Sequence, residues 1–192
     1  ARVLVVGCGT SRLPQDLQSH GLDNVLAVDL SKAVISQMQT KYDESEGLQF
    51  AVVDARKMDR LANDSFDLVL DKACMDAVFC SLHTYEDVLR MNQEVCRVLR
   101  PGKQFVSVSR GSPPTRLPHL RHPSLSWDVE HVRLDPPTND DTLLKSIGLH
   151  VYICTKRRQT NNLMLTSEAG IGEVQEEIDR DWEELQKKSS TT

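Results

Sequence analysis

Residues 1–14, ARVLVVGCGTSRLP, decide how the chain is read. Residues 2–6, RVLVV, are almost continuously apolar and bounded by glycine, which is the pattern of a strand buried on both faces. Gly7-Cys8-Gly9 then lets the backbone turn sharply and come close to a ligand. Residues 13–21, LPQDLQSHG, read as a short helix with Ser11 as its cap and Gly21 past its end. A tight strand-to-helix turn needs glycine in many α/β proteins, so the turn alone is a weak sign of a nucleotide.

Working outward, strands and helices alternate. VLAV is a second strand ending at Asp29, and LQFAVV a third ending at Asp54. FDLVL is a fourth, ending at Asp71. Between the second and third lies a helix capped by Ser31, with Val34, Ile35, Met38 and Tyr42 on one face. TYEDVLRMNQEVCRVL is a longer helix. Thr84 and Asp87 resemble a capping box at its start, and Val88, Met91, Val95 and Leu99 form its apolar stripe. Pro101-Gly102 ends it, and QFVSVS is a fifth strand. This alternation predicts an α/β fold, a mostly parallel sheet with helices on both faces.

The rhythm changes after Ser109. Residues 110–126 hold four of the eight prolines and no acidic residue, which reads as a loop or a short irregular helix. SWDVEHVRL and LHVYICTK are two strands with no helix between them, so they are expected to pair as an antiparallel hairpin with a long tip. Residues 168–188 carry eight acidic and three basic residues, with Ile171, Val174, Ile178, Trp182 and Leu185 at helical spacing. The expectation is a domain over 1–158, then a linker and an acidic amphipathic helix over 159–192. That helix docks on its own domain or contacts a partner.

The 192 residues are enough for one domain with a sizeable core. A net charge of -5 argues against a general nucleic-acid binder. No apolar run approaches the ~18 residues of a membrane span. Five cysteines without CxxC spacing fit neither a disulfide framework nor a zinc site. They read as buried free thiols and suggest a reducing compartment, cytoplasm or nucleus.

Chemistry is expected where parallel strands end. Asp29 lies twenty residues past Gly9 and either accepts bonds from both ribose hydroxyls or caps the helix near Ser31. Counting from Gly7, Arg12 stands where a pyrophosphate binder would carry a third glycine. That departure argues against NAD or FAD and is compatible with a nucleoside ligand without phosphates, such as S-adenosylmethionine. Asp54 either holds an adenine edge or is a turn aspartate before Arg56 and Lys57. Asp71 either faces the reactive part of the ligand or makes a plain surface salt bridge; Lys72 either pairs with a carboxylate, of the protein or of S-adenosylmethionine, or makes a plain surface salt bridge. Asp76 reads as a helix-terminal acid. Arg110, Arg116, Arg121 and Arg133, with His119 and His122, form either a basic lip for an acidic protein surface or a solvated loop.

The series VLVVGCGTS, VLAVDLS, VVDARKMD, SFDLVLDKACMDAV and RVLRPGKQFVSVS resembles class I S-adenosylmethionine-dependent methyltransferases. GCGTS and DKACMDA resemble more narrowly the group that contains lysine methyltransferases of translation elongation factor 1-alpha. The resemblance covers residues 1–158 and is strongest before residue 110. It implies a doubly wound, Rossmann-like sheet of seven strands in the order 3-2-1-4-5-7-6, with strand 7 antiparallel. It implies S-adenosylmethionine as cofactor, S-adenosylhomocysteine as product and a protein lysine as acceptor. Gly7, Gly9 and Ser11 would line the methionine side, Asp29 and Leu30 the ribose, Asp54 and Ala55 the adenine. Asp71 and Lys72 would border the methyl group, with Asp71 orienting the amine. No metal is implied. Two departures from the group are Thr10 in place of asparagine and Cys74 in place of threonine. The group also carries a helical segment before strand 1, so a chain that starts on that strand is expected to lack a lid and to bind the cofactor weakly. Rival readings are a small-molecule methyltransferase, an aminopropyltransferase, or a non-catalytic binding module. An aminopropyltransferase should show an acid-rich pocket after strand 4, and none is evident.

Overall fold

The computed structural model describes residues 1–43, 46–134 and 148–158. The strands are β1 (Arg2–Val6), β2 (Asn24–Asp29), β3 (Leu48–Val52), β4 (Phe66–Lys72), β5 (Leu99–Ser109), β6 (Trp127–Leu134) and β7 (Leu149–Lys156). The helices are α1 (Leu13–Ser19), α2 (Lys32–Lys41), α3 (Cys74–Val78), α4 (Thr84–Val98) and α5 (Pro113–Leu120). The strands form a seven-stranded sheet in the order β3-β2-β1-β4-β5-β7-β6. β1, β2, β3, β4 and β5 pair in parallel, and β7 runs antiparallel to both β5 and β6. The sheet order and the terminal hairpin agree with the sequence reading. The hairpin tip and the acidic tail helix lie outside the described residues.

The apolar run of β1 is explained by its two faces. Leu4 and Val6 join the core under α4 and α5, which holds Val88, Met91, Val95 and Leu120. Val3 and Val5 join a second core with Leu13 and Leu17 of α1 and Ile35 and Met38 of α2. Alternate residues of one strand thus fill opposite faces, which a buried parallel strand requires. Each fully buried Val, Leu, Ile or Met contributes roughly 1.5–3 kcal/mol relative to exposure.

Some expected ends shift. Ser31 caps α2 as read, its Oγ accepting the Val34 N–H at 3.3 Å. Ser11 is one residue too early: α1 is capped at Arg12 without a side-chain bond, and Ser11 Oγ accepts from Leu13 N–H at 3.2 Å. β3 ends at Val52, leaving Asp54 in the following turn, where it bridges to Lys57. β5 begins at Leu99 rather than after Pro101-Gly102, because Phe66 pairs with Leu99 before the register shifts. The Thr84–Asp87 capping box does not form. Thr84 Oγ1 donates to the carbonyls of Phe79 and Ser81, and Asp87 is drawn away by Arg56.

Candidate functional site

β1 has β2 on one side and β4 on the other, so strand order reverses at β1/β4. Ligands of open α/β sheets bind beyond the strand ends at such a point. An open cavity of about 320 Å³ lies there, within the ~300–1,000 Å³ usual for small-molecule sites. Gly7, Asp29, Leu30, Asp54, Ala55 and Lys72, all singled out in the sequence, line it. Val53, Arg56 and, from α3 and its flanks, Ala73, Cys74, Ala77, Val78 and Ser81 complete it. Gly9, Ser11 and Asp71 are not among its lining residues.

The glycine turn is shaped by close approach. Gly7 has φ +59°, and a Cβ there would lie 2.4 Å from Cys74 Sγ. No other residue fits without displacing α3. Gly9, with φ +51°, sends its N–H to Asp29 Oδ2 at 2.9 Å. The other oxygen, Oδ1, accepts from Ser31 N–H at 2.9 Å. Asp29 therefore ties the β1 turn to the start of α2. A carboxylate accepts roughly four hydrogen bonds, so these two donors leave capacity for two hydroxyls. Leu30, 63% exposed, stands beside it as an uncovered apolar surface on the cavity. Burial pushes the Cys8 thiol up to about 12, with the nearby Asp29 charge adding to the shift. Burial likewise raises Cys74. Both thiols are neutral packing groups at physiological pH.

Asp54 meets both of its sequence readings. It lines the cavity, and it also accepts from Arg56: the backbone N–H at 2.9 Å, Nε at 3.0 Å and Nη2 at 2.8 Å. The Arg56 guanidinium holds the Asp54 carboxyl below the usual carboxylate range. Arg56 Nη1 donates in turn to Asp87 Oδ2 on α4 at 2.7 Å. Sequence reading named Arg56 only as a residue following a turn aspartate, because a contact thirty-one residues away leaves no local trace.

Asp71 differs from expectation. It is 1% exposed and turned inward, where three donors converge on one carboxylate. It accepts from Cys74 N–H at 2.6 Å, Met75 N–H at 3.3 Å and Ser107 Oγ at 2.7 Å. Burial raises its carboxyl to about 6 against the opposing pull of the Ser107, Cys74 and Met75 bonds. Its geometry is that of an anchor for the start of α3, not of a group beside the cavity. Lys72 is exposed on the cavity, and its ammonium makes no ion pair with another described residue. Between Lys72 and α3, Ala73 adopts a left-handed φ of +67°. No glycine or asparagine marks that turn in the sequence.

The basic segment after β5 divides. Arg116 is buried, with Nη2 2.9 Å from Asp76 Oδ1 and its guanidinium carbon 3.7 Å above the Phe79 ring. Asp76 also accepts from the Arg110 N–H at 2.9 Å. Arg116 thus fastens α5 to α3 and does not belong to a solvent-facing lip.

The methyltransferase domain family model matches residues 4–107. The chain belongs to the class I S-adenosylmethionine-dependent methyltransferase family. It is 32% identical over 168 residues to EEF1A lysine methyltransferase 4 of Mus musculus, covering 82% of this chain and 61% of that protein. It is 31% identical over 163 residues to the eEF1A lysine and N-terminal methyltransferase of Xenopus laevis, covering 82% of this chain and 23% of the other. The chain thus spans less than two thirds of the length of these relatives. In fold it is similar to a SAM-dependent methyltransferase from Methanosarcina mazei, with TM-score 0.61, 18% identity and coverage of 81% of this chain and 92% of that one. A SAM-dependent methyltransferase from Mesorhizobium loti matches with TM-score 0.61, 20% identity and coverage of 80% and 90%. Among the described residues no helix is long and apolar enough to cross a membrane.

Proposed function

We propose that this chain is the catalytic domain of a protein-lysine N-methyltransferase that acts on translation elongation factor 1-alpha. The observation that carries the reading is the cavity at β1/β4, where Gly7, Asp29, Leu30, Asp54 and Ala55 converge. The residues fit S-adenosylmethionine. Asp29 has acceptor capacity for the ribose hydroxyls, Leu30 offers an apolar surface to the nucleoside, and Asp54 with Ala55 meets the adenine edge. Gly7, Gly9 and Ser11 shape the turn on the methionine side. Gly9 and Ser11 act through their bonds to Asp29 and Leu13. Lys72 supplies a cation for the cofactor's carboxylate.

S-adenosylmethionine, when bound, supplies a methyl group already activated on a sulfonium. The protein need not build a strong nucleophile; it must align the acceptor and exclude water. A lysine amine has a reference pKa near 10.4 and must shed its proton before attack. The inward-turned Asp71 does not meet that amine. It is a positioning residue that fixes the turn between Lys72 and α3, and a water path carries the proton. S-adenosylhomocysteine is the product. The names of the relatives support a protein-lysine acceptor, and the proposed site of action is the cytoplasm.

Radiolabelled S-adenosylmethionine is added with the protein to a cell extract and to purified elongation factor 1-alpha. Label on a lysine of that factor is the expected result. Label only in small molecules would contradict the protein-lysine reading, and no label with demonstrable cofactor binding would favour a binding module.

A further inference from the structure

Arg56 spans two walls of the cavity. Val53, Asp54 and Ala55 form the wall that follows β3, and Ala77, Val78 and Ser81 form the wall from α3 toward α4. The Arg56 fork holds Asp54 on the first wall and reaches Asp87, only 8% side-chain exposed, behind the second. Two carboxylates facing one cation make the guanidinium, not either acid, the centre of the arrangement.

The fork also fixes what Asp54 has left to offer. Oδ1 takes the Arg56 backbone N–H and Nε, while Oδ2 takes Nη2 at 2.8 Å and shares the Nε hydrogen at 3.3 Å. Three N–H groups against a carboxylate capacity of about four leave room for one more donor. A single oriented acceptor matches one N–H of an exocyclic amine.

We propose that Arg56 is a positioning residue for nucleobase recognition: by holding Asp54 with its fork and bracing against Asp87, it presents one acceptor oxygen that selects a 6-aminopurine. The proposal rests on the S-adenosylmethionine reading of the cavity. It does not require Arg56 for folding, because the same segment is moored to α4 independently. Arg97 donates to the carbonyls of Met58 at 2.9 Å and Leu61 at 2.7 Å. Glu94 accepts the Met58 N–H at 2.5 Å.

The test titrates the full chain and its Arg56→Gln, Arg56→Lys and Asp87→Asn variants with two ligands. One is S-adenosylhomocysteine; the other is its analogue with purine in place of adenine, lacking the exocyclic amine. The wild type is expected to prefer the adenine ligand about tenfold, the worth of one hydrogen bond to a charged acceptor. Arg56→Gln should bind both ligands less tightly and lose the preference. Arg56→Lys keeps the charge without the fork and should recover only part of it. Asp87→Asn lies outside the cavity lining and should fall between wild type and Arg56→Gln. A residue that merely supported the fold would lower both affinities and leave their ratio unchanged. An Arg56→Gln protein that retains the tenfold preference overturns the proposal alone. A wild type that binds neither ligand overturns the cofactor reading and the proposal with it.

Discussion

At Ala73, β4 hands over to α3 in a left-handed backbone conformation that a Cβ disfavours by roughly 1–2 kcal/mol. Ala73→Gly should therefore stabilise the protein by about 1 kcal/mol, with part of the relief offset by glycine's greater unfolded-state entropy. Thermal or urea denaturation checks this; an unchanged or lower midpoint would show that the turn is not strained. Two residues earlier, the Asp71 carboxyl rises to about 6 from a reference of 3.8. A raised folded value means that its contribution is fully present below about 3.8 and is lost as pH rises through about 6. Asp71→Asn removes that titration. The stability of the wild type relative to Asp71→Asn should therefore fall by up to about 3 kcal/mol between pH 4 and pH 7. Urea midpoints of both proteins across that range test it, and a pH-independent difference would contradict it. Asp29 was legible in the sequence because its distance from the glycine turn is a local spacing. The inward turn of Asp71 was not, since the hydroxyl that draws it in belongs to Ser107 on β5.

Among the elements, periodicity served well and capping less so. Val88, Met91 and Val95 of the stripe are fully buried on α4, as helical spacing requires, while Leu99 is buried as the first residue of β5. The Thr84–Asp87 box failed because Asp87 gains more from Arg56 than from a backbone N–H. α3 was missed, its five residues being too few to show a period. The segment after β5, read as a loop or a short irregular helix, is a short helix whose arginines have different work. Arg116 is paired with Asp76 in a buried setting, whereas Arg121 is exposed with one long bond, 3.5 Å to the Val129 carbonyl. Arg116→Ala leaves Asp76 without its cation and should cost about 3 kcal/mol. Arg121→Ala should stay within about 0.5 kcal/mol. Equal effects in chemical denaturation would mean that α5 is not fastened through Arg116.

For the whole molecule, the strand alternation and the lack of a helical sequence pattern between the last two strand segments were enough to foresee a parallel sheet with an antiparallel end. The position of β1 between β2 and β4 was not contained in any local pattern; it came from resemblance, and the pairing of Val6 with both Val28 and Asp71 bears it out. That placement brings the ends of four strands, β1 to β4, to one cavity, and the cofactor assignment depends on it. The most direct test is hydrogen–deuterium exchange of the full chain with and without saturating S-adenosylmethionine. Slowed exchange should concentrate in residues 7–11, 29–31, 53–57 and 72–78. No slowing, or slowing confined to the β6–β7 edge, would contradict the assignment of this cavity to the cofactor.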